Sequence, residues 1–298
     1  MGAIIMLKDY KKKKVLPYTL VTPVVFLMFI LYSYPIILTF IYSFQDVSLI
    51  AGRGKFIGLQ NYIDLIKDPN FYHTLKLTLK YTIVTVTLKI TLGFVMALLL
   101  NSDIHLKKGL RFLMLIPWAL PQVAVAIIWK WILDGNYGYL NFLLQKIGVI
   151  EKSIAWLSDP TTAFYCTSIV DAWLGIPMVA LMFLSGLSSI PLELYDASKV
   201  DGVNCFQRFI YVTLPGIKKV FLIILTLVSI WTFNSFNVIN VLTKGGPMSA
   251  TQTLIYKIYK ETFTKFNLGM SSAMSMIVCV LLTFLSLLYW KQIRKENS

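Results

Sequence analysis

The chain has 298 residues, of which 57% are hydrophobic and 14% charged, and its mean hydropathy is +0.69. That balance excludes an ordinary soluble domain and places the chain among polytopic membrane proteins. Its formal charge of +14 would invite a nucleic-acid partner in a soluble protein, but here Lys and Arg gather at the ends of apolar runs, as in membrane proteins, so nucleic acid is set aside.

A bilayer core about 30 Å thick needs about 20 apolar residues in a helix. Counting by that rule predicts six transmembrane helices, running roughly Leu16 to Phe44, Leu75 to Leu100, Arg111 to Leu133, Thr162 to Leu187, Val220 to Leu242 and Ser271 to Trp290. The first follows the tetralysine Lys11 to Lys14, but it is far longer than the core of a signal peptide and reads as an uncleaved span. Pro35, Pro117, Pro121 and Pro177 fall inside spans, where neighbouring helices tolerate them. The expected fold is therefore an all-α bundle of six spans in a single domain, 1–298, in the bilayer.

Orientation follows from Lys and Arg in alternate connections. Lys8, Lys11 to Lys14, Lys107, Lys108, Arg111, Lys199, Arg208, Lys218, Lys219, Lys291, Arg294 and Lys295 make fifteen on one side. Arg53, Lys55, Lys67, Lys146, Lys152, Lys244, Lys257, Lys260 and Lys265 make nine on the other. The richer side is expected to be cytoplasmic, with both termini. The long outer connections carry Tyr137, Tyr139 and Trp156, which suit an extracytoplasmic partner, whereas Trp129 and Trp131 suit the headgroup level.

No catalytic constellation appears along the chain. A phosphate-cradling loop is missing, His73 and His105 are isolated, and Cys166, Cys205 and Cys279 have neither metal-site nor disulfide spacing. Ionisable groups at bilayer depth are the next candidates, because they are costly there. Lys76 and Lys80 can snorkel from the outer end of the second span, but Lys89 is too deep. Asp171 is the acid well inside a span. The two form a pair or sit separately on a polar cavity. In the fifth span Trp231, Asn234, Asn237 and Asn240 recur every three residues, a stripe that either binds sugar hydroxyls and stacks on a pyranose or glues helices together.

Between the fourth and fifth spans, residues 190–215 are longer than a connection requires and read as two short helices broken at Gly202 and bounded by Pro191 and Pro215. Here Asp196-Ala197-Ser198, Asp201-Gly202, Phe206, Phe209 and Leu214-Pro215 resemble the cytoplasmic EAA loop of binding-protein-dependent ABC importer permeases. Asp196 stands for the usual Glu, Ser198 for the second Ala, and Val203 for the small residue after the Gly. Phe56 to Tyr62, Asp68 to Phe71, and Thr243-Lys244-Gly245-Gly246-Pro247 with Thr251 are similar to the carbohydrate-uptake branch of that family, which includes maltose and glycerol-3-phosphate systems.

The resemblance implies the type I permease fold in the bacterial inner membrane, with 190–215 as the element that couples to a cytosolic ATPase. It also implies a second, homologous permease subunit, ATP-binding subunits that hold the only nucleotide, and an extracytoplasmic solute-binding protein. The cargo would be a sugar or oligosaccharide. An acidic oligosaccharide or phosphorylated polyol is the alternative, suggested by Lys89, and a proton-coupled transporter is a more distant one.

Overall fold

The computed structural model describes residues 18–52, 54–102 and 107–295; Lys8, Lys11 to Lys14, Arg53 and His105 lie outside the described residues. Among the described residues, five helices are long and apolar enough to cross a membrane, and a bent pair makes a sixth if its two helices count as one span. The described residues fall into two compact units, one drawn from 18–67 and 261–277, the other from 68–260 and 278–295.

In the first unit, helix α1 (Tyr18–Tyr42) widens to a π-turn at Phe29–Ser33. Pro35 follows directly and explains the widening, since it brings no N–H and its ring displaces the carbonyl of Leu31. A hairpin of β1 (Gln45–Val47) and β2 (Gly54–Phe56) comes next, in antiparallel register Gln45 to Phe56. Helix α2 (Gln60–Lys67) then places Asn61 inward, where its Nδ2 donates to the carbonyls of Ser43 and Gln45, both at 3.0 Å. Thus the Phe56 to Tyr62 segment pins the end of α1 to the hairpin, and Tyr62 adds a bond from its hydroxyl to Ser43 Oγ at 2.8 Å.

The second unit is built on α3 (Pro69–Asn101), α7 (Pro160–Ser188) and α9 (residues 205–233). Aspartates with a following proline start the first two: Asp68 accepts from Asn70 N–H, and Asp159 from those of Thr161 and Thr162. These caps extend both helices beyond the apolar runs that announce them. Burial pushes the Asp68 carboxyl up, but the Asn70 N–H and Lys257, 3.2 Å away, outweigh it and hold it below its ordinary value. The cap is therefore at full strength above the unfolded carboxylate range, and weakens as pH falls through the lowered value.

Close approach holds α3 to α7: a Cβ on Gly93 would lie 2.7 Å from Val179 Cγ1. Around that contact Val86, Ala97, Val179, Phe183, Ile217 and Ile224 form the main apolar core.

Two spans depart from the expectation of straight helices. The third is not one helix but α4 (Lys107–Ala119) and α5 (Gln122–Ile132), bent by 92° at Leu120-Pro121. Pro121 denies the ladder a donor there and restricts Leu120. The fifth stops at Phe233, and a short α10 (Asn237–Leu242) follows after a three-residue break. The apolar run hid both breaks.

The connections also hold structure that hydropathy does not show. Helix α6 (Tyr139–Lys146) lies between Asp134 and Asp159, α8 (Leu192–Val200) after α7, and α11 (Leu254–Phe263) and α12 (Leu268–Lys295) close the chain. The Thr243 to Pro247 segment is knitted by its own threonines, with Thr243 and Thr251 hydroxyls 2.6 Å apart and Thr251 Oγ1 donating to the Gly246 carbonyl at 2.8 Å.

Asn141 in α6 holds its connection together. Its Nδ2 donates to the carbonyls of Asp134, Gly135 and Ile154, and its Oδ1 accepts from Ile154 N–H and Trp156 Nε1. Trp156 is thus a structural residue, while Tyr137 and Tyr139 are exposed. Replacing Asn141 by Ala orphans several part-buried groups, a cost of about 3 kcal/mol. We expect hydrogen exchange at the Ile154 amide to accelerate by about a hundredfold, and wild-type protection there would refute the assignment.

Candidate functional site

The breaks in the third and fifth spans open onto one cavity of about 460 Å3 within the second unit. Pro121 puts Gln122 at the first turn of α5 and leaves Trp118 at the end of α4. The end of α9 supplies Trp231 and Asn234, and the start of α10 supplies Asn237, whose Nδ2 donates to Gln122 Oε1 at 2.9 Å. Both breaks free backbone groups from the helical ladder, and carboxamides occupy the positions beside them. Such a wall combines amide donors and acceptors with indole faces, as a polyhydroxylated solute requires.

Lys89 from α3 and Asp171 from α7 complete the cavity wall. They form a pair: Lys89 Nζ lies 3.0 Å from Asp171 Oδ1 and 3.0 Å from Thr232 Oγ1. The Tyr81 hydroxyl donates to Asp171 Oδ2 at 3.0 Å. Both charged residues are buried, at 6% and 7% exposure.

Of the residues expected on the pathway, Trp231, Asn234, Asn237, Asp171 and Lys89 meet in this cavity, and Asn240 does not line it. The three-residue stripe presumed one continuous helix, whereas the helix ends at Phe233 and the phase is lost before Asn240. Trp118 and Gln122 were not anticipated; a proline directly before a glutamine was the available signal. A larger groove of about 800 Å3 between α3 and α9 is lined mainly by apolar residues such as Ile90, Phe94, Leu214 and Phe221, so it offers a solute little to hydrogen-bond.

Residues 190–215 form a second candidate surface. Helix α8 ends at Val200, and Asp201-Gly202 makes the turn, with Gly202 at φ +69°. The next helix starts at Cys205, where Asn204 accepts from Gln207 N–H at 2.8 Å and Gln207 Oε1 accepts from Asn204 N–H at 3.1 Å. This second helix is not a separate short one, because it continues through a π-turn at Phe209–Thr213 into α9. Asp196, Ala197, Asp201, Gly202, Phe206 and Pro215 are exposed. Ser198 is buried, its hydroxyl donating to the Tyr195 carbonyl at 2.7 Å, and half-buried Phe209 packs its ring near Phe94. Asp196 pairs with Lys199 at 2.9 Å on the exposed face of α8.

Among the described residues, no group of three His, Cys, Asp or Glu gathers to hold a metal ion.

Comparison with known proteins bears on the fold and the family. The chain is similar to the trehalose/maltose transport system permease protein MalF of Thermococcus litoralis, at 34% identity over 95% of this chain and 94% of the relative. It is also similar to the sulfoquinovosyl glycerol transport system permease protein SmoG of Agrobacterium fabrum, at 32% identity over 95% and 92%. Its fold matches a chain of a bacterial ABC transporter involved in the import of the acidic polysaccharide alginate, with a TM-score of 0.83 at 19% identity over 98% of this chain and 99% of that one. It also matches a chain of a bacterial alginate ABC transporter in complex with an alginate pentasaccharide-bound periplasmic protein, with a TM-score of 0.84 at 19% identity over 98% of each chain. Residues 89–294 match the family described as binding-protein-dependent transport system inner membrane component. The chain belongs to that family, as a multi-pass ABC importer permease of the inner membrane, a subunit type without an ATP-binding site of its own.

Proposed function

We propose that this permease carries a sugar or short oligosaccharide into the cytoplasm, through the cavity walled by Trp231, Asn234, Asn237 and Gln122. The observation that carries the reading is that two broken spans turn amide and indole side chains into one open cavity. The saccharide relatives support the cargo class.

A second permease subunit of similar fold would complete the pathway, and an extracytoplasmic solute-binding protein would deliver the cargo. Separate ATP-binding subunits would supply the energy through residues 190–215, with Asp196, Ala197, Asp201, Gly202, Phe206 and Pro215 at the contact and Ser198 and Phe209 supporting it from inside. The excess of Lys and Arg on one set of connections supports a cytoplasmic position for that surface and for both termini. The alternative cargo, an acidic oligosaccharide or phosphorylated polyol, would need a free cation in the wall, whereas Lys89 is paired there with Asp171 at 3.0 Å.

The test is uptake of labelled saccharide into proteoliposomes holding the complete assembly. Uptake is expected only with ATP on the cytoplasmic side, and uptake driven by a proton gradient without ATP would overturn the reading. Trp231→Ala is expected to lower the rate about tenfold at unchanged protein level, the loss of one aromatic stacking contact of about 1.4 kcal/mol. An undiminished rate would remove Trp231 from the pathway.

A further inference from the structure

We infer that Lys89 and Asp171 are the specificity-determining pair of the cavity, setting it to admit uncharged saccharides and to refuse carboxylated ones; this rests on the reading of the chain as a saccharide permease. They are the two charged residues in the wall, among Trp118, Gln122, Trp231, Asn234, Ser235 and Asn237. Their charges cancel. Lys89 Nζ is engaged by Asp171 Oδ1 and Thr232 Oγ1, each at 3.0 Å, and the other carboxylate oxygen of Asp171 is engaged by the Tyr81 hydroxyl at 3.0 Å.

The pair sits in space made for it. Gly175, one helical turn beyond Asp171, faces the Lys89 stem, and a Cβ there would lie 2.7 Å from Lys89 Cε and 3.3 Å from Nζ. A side chain at 175 would therefore push the ammonium away from Asp171. The sequence places Lys, Asp and Gly on two different helices, and the fold brings them to one point.

The consequence for cargo follows from desolvation. A carboxylate entering this cavity loses water and finds no net cation to replace it. To recruit Lys89 it would have to break the pair and leave Asp171 buried and unmatched, which is strongly unfavourable. A sugar hydroxyl meets no such obstacle, because the carboxamides of Gln122, Asn234 and Asn237 serve as both donors and acceptors. The presence of a buried lysine is thus not a signal for an anionic cargo here; its partner removes that signal.

The test uses the complete assembly in nanodiscs, titrated with neutral trisaccharides of gluco, galacto, manno and xylo configuration and with matched triuronates. Quenching of indole fluorescence reports occupancy, and Trp118→Phe/Trp231→Phe supplies the background. The best neutral trisaccharide is expected to bind at least tenfold more tightly than any triuronate. Asp171→Asn, which uncovers the Lys89 charge, is expected to shift that ratio at least tenfold toward the uronates, and Gly175→Ala to shift it in the same direction by less.

Because Asp171→Asn threatens folding, Lys89→Gln/Asp171→Asn carries the test independently. With net charge unchanged, it is expected to keep the neutral preference within about threefold. Triuronates bound as tightly as neutral sugars by the wild type, or preferred by the double variant, would overturn the role of the pair and leave the saccharide reading standing. Binding of neither class by the wild type would overturn the saccharide reading, and the inference with it.

Discussion

Gly202→Asp is expected to reduce uptake at least a hundredfold while the chain still accumulates in the membrane. Gly202 adopts φ +69°, so any side chain there carries some left-handed strain, about 1 kcal/mol and less for Asp than for most residues. Beyond its own chain neighbours, no atom of the described residues lies within 4 Å of the position a Cβ would take, so the turn itself has room for the substitution. The damage should therefore fall on what docks there and not on the fold. Beside the turn Val200 is 88% exposed and Phe206 71%, with Leu192 and Leu194 also exposed on α8. Apolar side chains presented together on an exposed turn suit a partner that covers them. A carboxylate set among them is costly to desolvate when that partner closes. Rate of uptake, membrane level by immunoblot and co-purification of the ATP-binding subunits together decide the matter. Wild-type transport by the variant would sink the coupling assignment, whereas Gly202→Ala, without a charge, is expected to retain most of it.

The second large effect is on stability. Lys89→Met leaves the Asp171 carboxylate buried with Tyr81 as its remaining side-chain partner, and Asp171→Leu leaves the Lys89 ammonium buried with Thr232. Breaking a buried pair on one side typically costs about 3 to 5 kcal/mol. Each single variant is thus expected to melt on the order of 10 °C lower than the wild type in the same detergent. Lys89→Met/Asp171→Leu should recover most of that loss, since the two remaining apolar side chains suit the interior and no charge is stranded. A double variant as unstable as the sum of the singles would show that the two residues act independently, contrary to the 3.0 Å contact.

Much of the fold was legible because membrane helices announce themselves by length. The spans over Leu75 to Leu100, Thr162 to Leu187 and Ser271 to Trp290 lie inside α3, α7 and α12, each somewhat longer than its apolar run because caps and amphipathic turns extend it. Hydropathy is blind to direction, however. It does not register that Leu120-Pro121 turns the chain through 92°, nor that Asn234 ends a helix in the middle of an apolar run. For that reason Gln122 and Trp118 went unseen, and Asn240 was placed on a stripe that the break at residues 234–236 interrupts.

Pairing was out of reach for a different reason. Lys89 and Asp171 are 82 positions apart and were conspicuous singly, because charge at bilayer depth is rare. Only the packing of α3 on α7, through a glycine on the one and Val179 on the other, decides that they touch. The turn at Gly202 was the most legible element of all: a glycine between two helical patterns, here with the positive φ that glycine accepts most readily.

The continuity of α9 has a mechanical consequence. Residues 205–233 form a single rod about 43 Å long at 1.5 Å per residue, with a capping box at one end and Asn234 at the other. A displacement applied beside Cys205 needs no loop to relay it. It arrives at the cavity as a translation or tilt of the segment bearing Trp231 and Thr232, past the widened turn at Phe209–Thr213 and Pro215 just after it.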